Sequence, residues 1–265
     1  MGGLPAARLG ARMENQRDLQ SGDDWPTGRV LVVAATFNER DNIEPLIGAV
    51  LGVAPELQLL IVDDESPDGT GDVALAIAAR EPRLHVLVRS GRRGLGSAIL
   101  EGFTVARRHG FAVAVNMDAD FSHDPADIPR LLARLEPVGG SPVDVVVGSR
   151  RVPGGRTLGW PLARHVASRL VGWFTRWVLG VPVRDPSSGF RAVRLEVFDR
   201  LAGPFAESYA FQEDMLLKVH RAGGTIAEVP ITFTDRQRGA SKADFAETRR
   251  SIRDLLYLAR RSWLG

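Results

Sequence analysis

The feature that most constrains this chain is an alternation: short apolar runs, several rich in Val, followed by segments of helical spacing. Val30–Ala35, Leu57–Val62, Leu84–Val88, Phe111–Met117 and Asp144–Gly148 read as strands. Near-continuous apolar runs of this length suit strands buried on both faces of a parallel sheet. Between them, Asp41–Leu51, Asp72–Arg80, Ser97–His109 and Asp124–Leu135 read as helices; in the first, Ile43, Leu46, Ile47 and Val50 share one face. Four repeats of strand and helix predict an α/β fold with a doubly wound, mostly parallel sheet flanked by helices. Such sheets bind ligands beyond the carboxyl ends of their strands. The polar clusters Thr36–Glu39, Asp63–Asp68, Asp118–Asp124 and Ser149–Arg151 sit at those ends and mark the expected site.

After Arg151 the alternation stops. A Gly/Pro loop, Val152–Pro161, precedes an amphipathic segment, Ala163–Val181. Beyond a turn at Asp185–Gly189, Val193–Leu201 and Gln212–Ala222 read as helices, Thr225–Phe233 as a strand, and Ala243–Trp263 as a last helix. The 265 residues, 44% hydrophobic, suffice for one large domain. With no Cys, disulfides, Cys-ligated zinc and thiol nucleophiles are excluded. A net charge of +2 is too weak to argue for nucleic acid and suits phosphate ligands or an anionic membrane surface. No window has the roughly 20 apolar residues of a membrane span; Arg169 and Arg176 interrupt the longest apolar stretch. Residues 1–28 read as a disordered leader without the apolar run of a signal peptide.

Asp118-Ala119-Asp120 is the strongest chemical signal. Two carboxylates one residue apart at a strand end can both face Mg²⁺ or Mn²⁺, which would be shared with phosphates and would stabilise a diphosphate leaving group. The alternative is a solvated turn capping the next helix, a task Asp124 alone can perform. Asp63-Asp64 begin a loop whose Pro, Asp and Gly also suit a simple helix entry, yet its four acids exceed what a cap needs, and one could accept hydrogen bonds from a nucleobase or ribose. Gly91–Ala98 can cradle phosphate at a helix start. Its place after the third strand, and its spacing, reject a nicotinamide site. Arg150, Arg151, Arg156, Arg164, Arg236, Arg238 and Lys242 gather late in the chain and complement the acidic strand ends, although any one of them is more often a solvated surface charge. The five His form no catalytic pattern and receive no catalytic role.

Seven segments run in order from about residue 30 to 242: Ala35-Thr-Phe-Asn-Glu39, Val62-Asp-Asp-Glu-Ser-Pro-Asp-Gly-Thr70, Arg93-Gly-Leu-Gly-Ser-Ala98, Met117-Asp-Ala-Asp-Phe-Ser-His123, Gly148-Ser-Arg150, Asp185-Pro-Ser-Ser-Gly-Phe190 and Arg236-Gln-Arg-Gly-Ala-Ser-Lys242. Together they resemble the dolichol-phosphate mannose synthase branch of glycosyltransferase family 2. The resemblance implies a GT-A fold and an inverting, metal-dependent transfer of mannose from GDP-mannose to dolichyl or polyprenyl phosphate. It implies a nucleoside pocket of Ala35, Phe37, Glu39, Val62 and Asp64, and a diphosphate and metal site of Asp118, Ala119 and Asp120, with Ser122 as a further metal contact. Arg236 and Lys242 would close a loop over the phosphates. Arg150, Arg164 and Ser168 would hold the acceptor phosphate, and transfer would depend on Asp120, Arg150 and Arg164, Arg150 also serving the donor side.

On this reading residues 29–242 form the catalytic domain, with 152–184 facing acceptor and membrane, and 243–265 form a C-terminal helix. The protein would sit peripherally on the cytoplasmic side of a membrane without a transmembrane helix, alone or with a membrane-anchoring partner. Glu213-Asp214 stand where related hydroxyl-acceptor enzymes carry a base; they would orient the sugar near the site, the alternative being a helix's solvated face. Ala35 and Phe37 replace the Pro and Tyr usual in the family, so a stacking face survives and a hydroxyl is lost. Glu65 replaces a small polar residue. The alternatives are a family 2 enzyme using UDP-glucose or a hydroxyl acceptor, and a non-catalytic nucleotide-binding subunit at the membrane.

Overall fold

The structure, a computed structural model, describes residues 29–91, 94–137, 142–236 and 245–264. Each expected strand of the first half forms: β1 (Val30–Thr36), β2 (Gln58–Asp63), β3 (Leu84–Val88), β4 (Val113–Asp118) and β5 (Val145–Ser149). Between them lie α1 (Arg40–Leu51), α2 (Thr70–Ala78), α3 (Leu95–Arg108) and α4 (Ile128–Leu135), the last entered through a 3₁₀ turn over Pro125–Asp127. Asp124 caps that turn by accepting the Ala126 N–H at 2.9 Å, so the capping role falls to Asp124 and leaves Asp118 and Asp120 free of it.

The second half holds β6 (Arg156–Leu158), α5 (Leu162–Trp177), β7 (Arg191–Arg194), α6 (Phe211–Arg221), β8 (Ile226–Pro230), β9 (Thr232–Thr234) and α7 (Phe245–Leu264). Seven strands make one sheet in the order β3-β2-β1-β4-β7-β5-β8, parallel except for β7. Successive residues of β1 face opposite ways. Leu31 and Val33 join the core formed with α3 and α6, and Val30, Val32 and Ala34 the core formed with α1 and α4. Helices therefore cover both faces, as the unbroken apolar strands require.

Two assignments differ. Val193–Leu201 is not a helix: β7 runs antiparallel between β4 and β5, followed by a 3₁₀ segment over Leu195–Arg200. Arg191 hides the strand, because its position reads as surface whereas the guanidinium is buried and donates to the carbonyls of Ser188 (2.8 Å), Gln212 (2.6 Å) and Pro186. Thr225–Phe233 splits at Ile231. Its N–H bonds Ser149 in the large sheet, and its carbonyl accepts from Arg156 in a small parallel β6–β9 pair. Pro230 lies on the edge strand of the sheet, where its missing N–H costs no ladder bond to β5.

Register sets the site. Ala35 lies beside Val62 on one side and Asp118 on the other, so three strand ends finish on one row at the carboxyl edge.

Candidate active site

Just past β1, β2 and β4 the chain makes a left-handed turn at Asn38 (φ 56°), Glu65 (φ 51°) and Phe121 (φ 60°). Non-glycine residues rarely adopt this conformation, and such strain collects at functional sites. The turns divide the labour within each acidic pair. Asp63 points inward and organises the loop, accepting from Thr36 Oγ1 (2.8 Å), Ser66 N (2.8 Å) and Ser66 Oγ (2.5 Å). Asp68 likewise accepts from Thr70 at the start of α2. Helix entry is thus the work of Asp63 and Asp68, while Asp64 faces a cavity. Glu65 reaches across to Gly91 N and Ser90 Oγ (3.3 and 3.4 Å), holding the loop after β3.

Asp64 rests on Arg89, a buried guanidinium at the end of β3 that donates Nε at 2.6 Å and also reaches Ser97 Oγ (3.0 Å). Burial pushes the Asp64 carboxyl up, and Arg89 pulls against that. The Gly94 N–H donates to Asp64 at 3.1 Å. Gly96 serves packing: a Cβ there would stand 2.7 Å from Phe211 Cβ. Nothing in the sequence marked Arg89; its place one residue past a strand end was the available signal.

On the next strand end, Asp120 accepts from Ser122 N (3.0 Å) and Ser122 Oγ through Oδ1, and pairs with Arg236 through Oδ2 at 3.0 Å. The Ser122 hydroxyl therefore fixes the carboxylate. His123 is buried against Phe190 (ring centroids 5.0 Å apart), and its Nδ1 accepts the Asp118 N–H at 3.1 Å. That bond places the proton of the neutral ring on Nε2, and burial pushes the His123 pKa down. So one histidine, given no role from sequence, positions the end of β4 and reaches the cavity wall. Gly189 packs so closely that a Cβ would lie 3.1 Å from Asp118 Oδ1. The enclosing walls push the Asp118 carboxyl up, His123 opposes this, and the Asp120 charge adds to it. Two crowded carboxylates of this kind fit a divalent cation. No group of three His, Asp or Glu residues gathers as a metal cage among the described residues, so such an ion would take its remaining ligands from outside these side chains, as one shared with a diphosphate does.

Facing the acids is a cationic wall. Arg150 grips the fully buried Asp185 through Nε (2.7 Å) and a terminal nitrogen (2.6 Å), and its own N–H donates to the same carboxylate at 2.8 Å. Despite burial, these contacts with Arg150 hold the Asp185 carboxyl below the ordinary range. Arg164 pairs with Asp235 at 2.7 Å. Arg151 donates to Ser168 Oγ at 2.8 Å. Glu213, buried in the first turn of α6, is pushed up to about 7 by desolvation, with buried Arg191 opposing.

One cavity of about 690 Å³ joins the two walls. Ala35, Phe37, Glu39, Asp64, Asp118, Ala119, Asp120, Arg150, Arg164, Ser168 and Arg236 all line it, as does Glu213. Asp214 instead turns away to Lys218 and the Ala206 N–H. The Val62 side chain is wholly buried in the core, and Ser122 lies behind Asp120; neither is on the cavity wall. Lys242, Arg238 and most of the loop Asp235–Lys242, like the leader 1–28, lie outside the described residues. Trp160, Tyr209 and Gln212, which no sequence motif singles out as site residues, also line the cavity.

Residues 31–202 match a family described as Glycosyl transferase family 2. The chain is 39% identical over 244 residues to polyprenol monophosphomannose synthase of Mycolicibacterium smegmatis, covering 89% of this chain and 91% of that one. It is 42% identical to undecaprenyl-phosphate mannosyltransferase of Micrococcus luteus, covering 81% and 87%. Against dolichol-phosphate mannosyltransferase of Pyrococcus furiosus the identity is 34%, over 81% of this chain and 59% of that longer protein. Among solved structures, glucosyl-3-phosphoglycerate synthase from Mycobacterium tuberculosis with Mn²⁺, uridine diphosphate and glucosyl-3-phosphoglycerate superposes with a TM-score of 0.63 at 23% identity, covering 89% and 80%. That similarity establishes the shared fold.

Proposed function

The chain belongs to glycosyl transferase family 2 and is a glycosyltransferase, and on that premise we propose that it transfers mannose from GDP-mannose to a polyprenyl or dolichyl phosphate, inverting the anomeric carbon. The observation that carries this reading is the charge layout of one cavity, which brings Asp64, Asp118 and Asp120 from the ends of β2 and β4 together with Arg150 from the end of β5 and Arg164 and Ser168 from α5. A nucleotide diphosphate with its cation suits the first set and a phosphate monoester the second. The relatives named for mannose transfer to polyprenol, undecaprenyl or dolichol phosphate support the sugar and the acceptor.

Mg²⁺ or Mn²⁺ held by Asp118 and Asp120 would supply counter-charge to the departing diphosphate. The protein's own residues align the reactants. Arg236, now on Asp120, is within the same cavity to meet diphosphate oxygens. Arg150 and Arg164 neutralise the acceptor phosphate so that one of its oxygens can approach the sugar's anomeric carbon. That oxygen forms the new bond as the bond to the diphosphate breaks. A phosphate monoester is already anionic near neutral pH, so no general base is required, and positioning with charge compensation provides the catalysis. Glu213 is placed to hold a sugar hydroxyl.

The acceptor's tail requires a lipid surface, and α5 offers one. Leu162, Val166, Leu170, Trp173 and Trp177 are exposed, Trp177 by 68%. The helix carries Arg164, Arg169 and Arg176 and no acid, a composition suited to anionic head groups. Its other residues Ala167, Ser168 and Val171 line the cavity, so a lipid bound at this surface would present its phosphate to the site. No helix among the described residues is long and apolar enough to cross a membrane. Docking through the exposed face of α5 would hold the protein on the bilayer surface.

Donor competition tests the nucleotide. Unlabelled GDP should suppress transfer of labelled mannose far more than UDP at equal concentration; stronger suppression by UDP would move the donor to the uridine series.

A further inference from the structure

Trp160 has a donor without an acceptor. Its indole Nε1 is buried and has no hydrogen-bond partner, although the residue lines the cavity. An indole N–H can only donate, and buried donors are almost always satisfied. An orphan of this kind in a cavity wall indicates a ligand acceptor atom.

Its surroundings define that atom. The Arg164 guanidinium carbon lies 4.3 Å from the indole centroid and that of Arg150 lies 4.8 Å away. Both guanidiniums stand against one indole ring, and each is also ion-paired, Arg150 with Asp185 and Arg164 with Asp235. The ring itself is held edge-on to Phe233 at 5.3 Å and to His165 at 5.6 Å. Its chain neighbours are fixed as well: Gly159 turns through φ +84° against Asp235, and the Asp235 N–H donates to Leu158 O at 2.8 Å. Ser168 and Ser187 complete a wall composed of guanidinium, hydroxyl and indole donors. The ligand such a wall fits is an oxyanion with several acceptor lone pairs.

We propose that Trp160 is a specificity residue of the acceptor site, donating its indole N–H to a non-bridging oxygen of the acceptor phosphate while its ring packs against Arg150 and Arg164. The proposal rests on the reading of this wall as the site of the lipid phosphate. No part of the sequence pattern distinguishes Trp160 from a packing residue; only the orphaned nitrogen does.

Trp160→Phe keeps an aromatic face and deletes the donor. A hydrogen bond to a charged acceptor carries about tenfold or more in binding. The variant should raise KM for geranyl phosphate about tenfold, leave kcat within a few-fold, and bind GDP in calorimetry like the parent. In the intact protein labelled with ¹⁵N-tryptophan, the indole resonance missing from Trp160→Phe should move downfield when geranyl phosphate is added. An unchanged KM in Trp160→Phe, or an unmoved resonance at saturating geranyl phosphate, overturns the proposal. Arg164→Ala separates this from failure of the underlying reading. If Arg164→Ala raises the acceptor KM while Trp160→Phe does not, the wall binds phosphate without the indole. If neither changes it, the acceptor site lies elsewhere and both readings fall.

Discussion

Asp120 has one oxygen fixed by Ser122 and the other engaged by Arg236. It is a charge held in place and neutralised until something more cationic arrives. Asp120→Ala should lower transfer by at least a hundredfold with little effect on the unfolding temperature, because among the described residues Ser122 is the one buried partner it leaves unpaired. Full activity of that variant in the presence of a chelator would remove the metal from the account. Glu213 allows a different test. Its carboxyl stays protonated up to about pH 7 in the folded chain, against an ordinary value of 4.5. The folded state therefore binds a proton that the unfolded state releases, and stability falls as pH rises from about 4.5 to about 7. Glu213→Gln removes that dependence. Relative to the parent it should gain on the order of 2–3 kcal/mol between pH 4.5 and pH 8, measured by denaturant unfolding across that range; parallel pH curves for the two proteins would contradict it. At this scale the carboxylates and arginines were legible because charge at strand ends survives in sequence. Trp160, His123 and Arg89 were not, since each acts through neighbours that only folding supplies.

Elements explain which parts of the fold were readable. β1 to β5 are mostly apolar, with polar residues chiefly at their ends, and almost wholly buried on both faces, so their composition announces them. β7 carries an arginine at each end, and β6 spans three residues inside a Gly/Pro loop; in both, tertiary pairing overrides local pattern. The amphipathic period of α5 was legible, whereas its partner was not, because periodicity does not say whether an apolar face meets core or lipid. In the structure only Gly172 and Thr175 of α5 are buried, Phe174 packs on the core, and both tryptophans stand outward. Replacing Trp173 and Trp177 with Ser should therefore leave GDP-mannose affinity intact while weakening liposome binding and activity on long polyprenyl phosphates. If the double variant floats with liposomes like the parent and treats long and short acceptors alike, α5 does not dock on lipid.

For the whole molecule, the parallel sheet delivers acids to one edge, and the second half of the chain delivers cations across from them. The acids come from β1, β2 and β4, which are adjacent in the sheet. Arg150 follows β5 and Arg164 lies on α5, while Arg236, which follows β9, already reaches over to Asp120. The antiparallel β7 separates the two groups, and the Asp185–Gly189 turn before it touches both, meeting Arg150 through Asp185 and Asp118 through Gly189. The cavity is thus a seam between two halves of one sheet, with donor chemistry on one side and acceptor chemistry on the other. The most direct test of that division is transfer itself. Purified full-length protein, radiolabelled GDP-mannose, polyprenyl phosphate in vesicles and Mn²⁺ are incubated and extracted with organic solvent. Label should appear in the organic phase, require both the lipid phosphate and the divalent cation, and fall sharply at subsaturating lipid in Arg164→Ala. Label that stays aqueous from GDP-mannose, while another nucleotide sugar labels the lipid or no donor does, would contradict the proposed transfer.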